Sequence, residues 1–169
     1  MPKPDLQRVP SFYHNYINQV PTDNLKEAFS AHSSNLYNFL NYLPGEKWSY
    51  RYAEGKWSIK EMVQHIIDTE RIFAYRALCI ARGEQAPLPG FDENNYAAAS
   101  KADKREKEHL LEELKAVQTS TTLLFQSFDE EQLSATGNAN GKSIEVAAIG
   151  FITIGHVLHH KNILQERYL

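Results

Sequence analysis

Three histidines have the residue type and the spacing needed to bind a metal. His156 and His160 lie four residues apart in the segment GHVLHH, which spans residues 155–160. On a helix this spacing stacks two side chains on one face, one turn apart. Two such imidazoles can bind a divalent metal, and the distant His65 could complete an open site of three protein ligands. An open coordination position indicates chemistry or ligand capture.

The helices that would carry these histidines have apolar faces. On a helical wheel, His156 and His160 share a stripe with three isoleucines: Ile149, Ile152 and Ile163. On the other helix, His65 shares a face with Met62, Thr69 and Ile72. Inward-facing imidazoles need hydrogen-bond partners or a metal. HxxxH pairs also occur on ordinary helices, and His65 could be an unrelated core histidine. His159 borders the stripe and could pair with His156 at i, i+3, but His160 is better aligned with His156.

Helical periodicity dominates the chain, and strand-like alternation is scarce. A short helix is predicted within residues 10–20. Longer helices are predicted at about 24–42, 58–82 and 101–128, with a last one starting at the cap Ser143. The segment 84–100 carries two prolines and a glycine and is predicted to be a loop, such as a rim or lid. Four long helices with apolar faces predict an all-α four-helix bundle. The whole chain, 1–169, is predicted to be one domain, with residues 1–22 an N-terminal extension or short helix.

Composition argues against several classes of function. The 169-residue chain has a net charge of −3 and no basic block, so nucleic-acid binding is not expected. Without an apolar run of about 20 residues, no membrane association is expected either. Cys79 is the one cysteine, which favours a reducing compartment, and we expect it to be a buried, inert thiol. Because the start lacks an apolar signal segment, the predicted location is the cytoplasm.

Two motifs give the chain a family resemblance. The stretch KWSIKEMVQHIIDTER, residues 56–71, resembles the motif around the first metal histidine of DinB/YfiT-like proteins. The segment GHVLHH, residues 155–160, resembles the second motif of that family, which supplies two more histidines. Either motif alone is weak evidence for the family, whereas the two motifs in this order are specific for it. The similarity extends from about residue 25 to residue 168.

This resemblance implies a fold, a metal site and an assembly. The family has an up-down-down-up four-helix bundle and is typically dimeric, so a homodimer is implied. Its members bind a divalent metal, often zinc or nickel, through three histidines that correspond to His65, His156 and His160 here. His159 matches no ligand position. The superfamily includes transferases and isomerases that use low-molecular-weight thiols as cosubstrates, alongside members with no assigned activity.

The leading functional hypothesis is therefore a metal-dependent enzyme acting on a small-molecule substrate. A bound metal would lower the pKa of a small thiol, as in a thiol-dependent transferase, or that of water, as in a hydrolase. The alternative from another class is a non-catalytic metal-binding stress-response module. In that case the site should be closed by a fourth protein ligand, for which His159 or a carboxylate is available.

Several other polar and aromatic residues have more ordinary interpretations. Glu70 lies about 140° around the helix from His65, so a salt bridge or an interface contact is expected. Asp68 could orient His65 but is expected to be solvated. Trp57 is expected to pack the end of the bundle. Three further histidines are expected at the surface or at helix edges: His14, His32 and His109. Aromatic residues of the first helices could serve a dimer interface or the core: Phe12, Tyr13, Tyr16, Phe39 and Tyr42.

Overall fold

The computed structural model describes residues 1–169, apart from the side chains of residues 31 and 33. Seven α-helices and one two-stranded hairpin make up the regular structure: α1 (His14–Gln19), α2 (Leu25–Asn41), α3 (Ile59–Ala81), α4 (Glu93–Ser100), α5 (Lys107–Ser127), α6 (Glu130–Ser134), β1 (Thr136–Ala139), β2 (Lys142–Glu145) and α7 (Val146–Arg167). Short 3₁₀ turns at Leu6–Arg8, Ser11–Tyr13, Gly45–Ser49 and Ala102–Lys104 connect them.

The four long helices α2, α3, α5 and α7 form the bundle. Helices α2 and α3 each pack against both α5 and α7, so these two consecutive helices lie diagonally across the bundle. Aliphatic and aromatic side chains fill the interior from both ends in two clusters. Burial of these apolar faces is the main driving force for the fold. The predicted all-α four-helix bundle is confirmed.

The prediction that the segment 84–100 is a loop is wrong for its second half. Residues Glu93–Ser100 form helix α4, whose first turn is capped by the Asp92 carboxylate accepting a hydrogen bond from the Asn95 amide at 2.9 Å. Because Ala97 is the one buried residue of α4, an apolar period is hardly visible in its sequence. Lys101 then takes a left-handed conformation, with φ of 55°, and ends the helix. The predicted third long helix therefore begins at Lys107 and not at Lys101.

A β-hairpin was also missed. Strands β1 and β2 pair antiparallel around Asn140 and Gly141, which both have positive φ. An Asn-Gly turn of this kind is a strong hairpin signal, but the flanking strands are short and mostly polar. Ser143 lies in β2 and does not cap the last helix. Helix α7 begins at Val146, after Glu145, which makes no side-chain capping hydrogen bond.

The N-terminal segment is part of the packed structure. Helix α1 packs against α7, where Gly155 leaves room for it. A Cβ at Gly155 would lie 2.0 Å from the backbone oxygen of Tyr16, so no side chain fits at this crossing. The short helix expected within residues 10–20 is therefore present, and it covers the middle of α7. Among the described residues, every helix is too short or too polar to span a bilayer.

Candidate metal centre

The N-terminus of α3 fixes the position of His65. Ser58 and Glu61 form a capping box, in which each side chain accepts a hydrogen bond from the other residue's backbone amide. The Ser58 hydroxyl also donates to the Asp103 carboxylate at 2.6 Å. These bonds satisfy amides that the first helical turn would leave unpaired. His65 lies two turns further along the helix, where α3 is buried.

Helix α7 carries His156 within its most buried stretch and His160 one turn further on. Residues 146–157 are all buried, and the two histidines expose 5% and 8% of their surfaces. This burial on every side results from the bundle on one face and α1 on the other. The face analysis from sequence therefore gave the right orientation for both histidines.

Three imidazole nitrogens converge between α3 and α7. The Nε2 atom of His156 lies 3.0 Å from Nε2 of His65 and 3.0 Å from Nε2 of His160. Nitrogen atoms of all three rings lie within 4.8 Å of one another. The ring centroids of His65 and His160 are 4.9 Å apart. The structure thus brings together the three histidines singled out from the sequence.

Hydrogen bonding among the three rings cannot satisfy them all. A neutral imidazole nitrogen carries either one N–H or one lone pair in the ring plane. Nε2 of His156 can therefore form one linear hydrogen bond, and not two, with its neighbours at 3.0 Å. Nδ1 of His160 is buried and has no hydrogen-bond partner among the described residues. The crowded Nε2 atoms call for a further atom between them, whereas Nδ1 of His160, across the ring from Nε2, calls for a separate partner.

Burial keeps the three rings neutral. It lowers the pKa of His65 to about 4. Burial, reinforced by repulsion from the neighbouring imidazoles, also lowers the pKa of His156 and of His160 well below the usual value of 6.5. A neutral imidazole has a lone pair to donate, which is the form that binds metals. At neutral pH the cluster therefore offers three nitrogen donors.

This donor set suits a borderline-soft divalent cation. Imidazole is a common ligand of zinc, nickel and copper, and three protein ligands are typical of an open catalytic site. Within the described part of the chain, this is the one group of three or more metal-ligating side chains. The His159 ring contacts those of Tyr16 and His160, with centroids 5.3 and 5.1 Å away, but it is not part of this group. Asp68 accepts a hydrogen bond from Gln64 at 2.9 Å and is not part of the group.

A cavity of about 280 Å³ opens beside the histidines. Aromatic rings form much of its wall, including Tyr16 and Phe73, whose centroids lie 5.5 and 6.0 Å from that of His156. Trp57 also lines this cavity, with its ring centroid 4.7 Å from that of His65. Trp57 packs against the core at the bundle end, as expected, but it contributes to the site as well.

A second cavity of about 250 Å³ lies next to His160. Trp57 and His160 line both cavities. Two cationic side chains, Lys56 and Arg167, border the second one, and Asn94 of α4 adds an amide. The expectation that the segment 84–100 contributes to a pocket rim therefore agrees with its position here, although that segment is largely helical.

Sequence reasoning missed several residues of the site. Thr69 places its hydroxyl 3.4 Å from Nδ1 of His65, and its position one turn after His65 was a usable signal. Tyr16, Arg76 and Glu93 also line the first cavity. They come from helices α1, α3 and α4. Their approach depends on how those helices dock, which no local pattern reveals.

A second buried polar centre lies on another face of α3. Glu70 accepts a hydrogen bond from Nε2 of His32 on α2, at 3.2 Å to one oxygen and 3.3 Å to the other. Each side chain is 1% exposed. Glu70, for which a salt bridge or an interface contact was expected, is therefore paired with a histidine inside the bundle, and the expected surface position of His32 is wrong. His32 is drawn inside because α2 and α3 both face the bundle interior.

The family follows from comparison with known proteins. A model of the DinB superfamily matches residues 28–164, so the chain belongs to the DinB superfamily. A protein of Oceanobacillus iheyensis, provisionally described as a metal-dependent hydrolase, is 29% identical over 85 residues. That match covers 50% of this chain and 43% of the relative, so the aligned part is less than half the length of that relative.

Solved structures show the same fold. YfiT from Bacillus subtilis, described as a probable metal-dependent hydrolase with an unusual four-helix bundle topology, aligns with a TM-score of 0.75 at 14% identity, covering 84% of this chain and 82% of YfiT. A mycothiol-dependent maleylpyruvate isomerase aligns with a TM-score of 0.69 at 13% identity, covering 86% of this chain but 61% of the isomerase. The DinB-like protein YjoA from Bacillus subtilis aligns at 0.60 with 20% identity, covering 85% and 89%.

Proposed function

We propose that this protein is a metal-dependent enzyme whose divalent cation is held by His65, His156 and His160. The observation that carries the proposal is the convergence of three buried, neutral Nε2 atoms beside a cavity. Zinc or nickel suits this set of donors. The descriptions of the Oceanobacillus relative and of YfiT as metal-dependent hydrolases support the same class.

The chain prepares this site through residues that hold and shield the imidazoles. Thr69 lies within reach of Nδ1 of His65 and would fix the orientation of that ring. Tyr16, Phe73 and Trp57 limit the access of water to the nitrogen atoms. A divalent cation bound there would supply Lewis acidity, which makes a neighbouring thiol or water more acidic.

Two cavities that share His160 and Trp57 in their walls favour a reaction between two small molecules. The first cavity, whose wall is largely aromatic, would hold an electrophilic substrate. The second cavity would hold a low-molecular-weight thiol beside Lys56 and Arg167. The two cationic side chains would attract a thiol that carries carboxylates. We therefore propose a thiol-dependent transferase. The structural similarity to a mycothiol-dependent isomerase supports this choice.

Hydrolysis is the second candidate, because both the curated relative and YfiT are described as hydrolases. In that case water would take the place of the thiol, and the second cavity would hold part of the substrate. A non-catalytic module with a structural metal has less support, since neither His159 nor Asp68 places a ligand atom among those of the three histidines. We also propose a homodimer, on the family resemblance and on the exposed Tyr42, which is 85% accessible.

An activity assay with separate thiol and hydrolysis arms tests the proposal. Purified protein, loaded with zinc or nickel, is mixed with 1-chloro-2,4-dinitrobenzene and either cysteine or glutathione, and the formation of the thioether is followed. A parallel reaction contains 4-nitrophenyl acetate without thiol. We expect metal-dependent thioether formation that is saturable in both substrates.

Matched variants of α7 supply the control. His156→Ala should lose the metal-dependent rate by at least about a hundredfold, because the metal would lose one of three ligands. His159→Ala removes a neighbouring imidazole that is not part of the group, and it should retain the rate. Ester cleavage without thioether formation would favour the hydrolase. Equal rates in both variants would contradict the proposed site.

A further inference from the structure

A buried arginine lies in the same cavity as the histidines and has no acidic partner. Arg76 of α3 is 4% exposed and lines the aromatic cavity. Across the described side chains, no carboxylate forms an ion pair with it. A buried cation without a counter-charge costs free energy, so natural proteins rarely keep one without a use for it.

The neighbours of Arg76 hold the guanidinium in place without neutralising it. One amino group donates a hydrogen bond to the Pro89 carbonyl at 2.6 Å, and the Tyr13 hydroxyl lies close enough to interact electrostatically with the guanidinium. The ring of Phe73 lies 6.0 Å from the central carbon of the guanidinium. A guanidinium has five N–H donors, so these two partners leave donors free for a ligand. The positive charge is therefore positioned and still available.

Phe73 is a neighbour of both this charge and the imidazoles. Its ring centroid lies 6.0 Å from that of His156 and 6.0 Å from the central carbon of the Arg76 guanidinium. A molecule lying across Phe73 would contact both centres within one cavity of about 280 Å³. Glu93 also lines this cavity, but its carboxylate is exposed and makes no ion pair with Arg76 in the described structure.

We propose that Arg76 binds a carboxylate of the substrate, so that the preferred substrates are small carboxylic acids with a second, reactive group directed to the histidines. The planar fork of a guanidinium matches a carboxylate through two parallel hydrogen bonds. Burial strengthens this pairing because little water competes for the donors. The proposal takes the cavity to be the substrate site, and so it rests on the proposed function. Arg76 is a specificity-determining residue in this account.

Binding of two isosteric probes tests this inference without any turnover. Benzoate and benzamide are titrated into metal-free, chelator-treated protein, and the fluorescence of Trp57, which lines the cavity, reports occupancy. Trp48 is fully buried elsewhere and gives a constant background, which a Trp57→Phe variant measures. In the wild type, benzoate should bind at least about tenfold more tightly than benzamide, the size expected for a hydrogen bond to a charged group. Equal affinities would overturn the proposal without recourse to any variant at Arg76.

Variants then assign the preference to the residue. Arg76→Met should bring the two affinities to within about twofold of each other, and Arg76→Lys should retain part of the preference because the charge stays while the fork is lost. Arg82→Met, at the exposed C-cap of the same helix, is the matched control and should retain the full preference. A full preference for benzoate in a folded Arg76→Met protein would contradict the assignment. Tighter binding of phenyl phosphate than of benzoate would also overturn it, because the anion would then be a phosphoryl group.

The same samples separate this inference from the metal proposal. Zinc binding is measured on each protein by calorimetry. If zinc binds but benzoate shows no preference, the inference about Arg76 fails alone. If benzoate is preferred but zinc does not bind, the cavity binds carboxylates and the proposed metal site fails.

Discussion

Two buried polar centres on α3 are built in opposite ways. His32 and Glu70 form a closed pair, in which a carboxylate accepts the imidazole hydrogen bond at 3.2 Å and both side chains are 1% exposed. His65 instead faces two further histidines and no carboxylate. The first centre supplies its own counterpart from α2. The second gathers three donors of the same kind at the edge of a cavity.

This difference distinguishes a closed structural pair from the proposed ligand site. A buried group that already has its hydrogen-bond partner gains nothing from a ligand and mainly joins the two helices. Three neutral imidazoles that cannot satisfy one another gain from a cation. Burial of a histidine therefore says little about function until its partners are known. The following experiments test this contrast, beginning with the largest expected effect on stability.

Removing the carboxylate of the closed pair should destabilise the fold strongly. We expect Glu70→Ala to lower the free energy of unfolding by about 3–5 kcal/mol, because His32 would stay buried without a partner. Chemical denaturation at pH 7 measures this change. Glu70→Gln is the matched control, since its amide oxygen can still accept the hydrogen bond from His32, and it should cost clearly less.

The contrast fails if the pair is as dispensable as an ordinary surface contact. A Glu70→Ala protein as stable as wild type would show that the pair does not hold α2 to α3. Zinc affinity should be unchanged in Glu70→Gln, because Glu70 belongs to the closed centre and is not among the grouped histidines.

The packing of α1 over the part of α7 that carries the histidines depends on Gly155. A Cβ there would meet the Tyr16 backbone oxygen at 2.0 Å, so Gly155→Ala should push α1 away from α7 and cost about 1–3 kcal/mol. Amide hydrogen exchange should show loss of protection in residues 14–19. Gly45→Ala is the matched control, because a Cβ at Gly45 meets no atom within 4 Å. Unchanged protection of α1 in Gly155→Ala would contradict the close crossing.

A third polar centre, at the surface, should have the smallest effect. Glu113 pairs with Arg71 and with Arg105. Burial acts to raise the pKa of Glu113, but the hydrogen bonds from the two arginines outweigh it, so its pKa lies below the usual 4.5. The contacts of Glu113 with the two arginines therefore stabilise the fold above pH 4.5, and this contribution is lost as the pH falls through the lowered pKa of Glu113.

Substitution of Glu113 should reproduce that dependence on pH. Glu113→Gln should cost about 1 kcal/mol or less at pH 7 and less than that at pH 2, because protonation of the wild-type carboxylate removes its ionic contribution as the pH falls. Thermal unfolding at the two pH values measures the difference. A cost that is equal at both values would mean that the contribution of Glu113 is not ionic.

Sequence reasoning recovered the parts of the molecule that depend on helical period. The bundle helices and the inward orientation of His156 and His160 follow from apolar residues spaced three and four apart. The cap at Ser58 was equally visible, because Ser58 and Glu61 have the spacing of a capping box. The resemblance to the family motifs then indicated that His65 belongs to the same site as the other two histidines.

The parts that were missed depend on tertiary contact or on short polar elements. His32 looked like a surface residue because its partner, Glu70, is 38 positions away and on another helix. Helix α4 has a single buried residue, and the hairpin strands have four residues each, so neither has a clear period. Tyr16 reaches the site only because Gly155 allows a close crossing. Arg76 could not be recognised as unpaired without knowing every neighbour.

Zinc content tests the central claim most directly. After dialysis against zinc and removal of free metal, we expect about one equivalent of zinc per wild-type chain, as an open three-histidine site implies. The folded His156→Ala/His160→Ala double variant should retain only a background trace, while Glu70→Gln, altered at the closed pair, should bind as much as wild type. Equal zinc in the wild type and the double variant would contradict the assignment of the metal to these histidines.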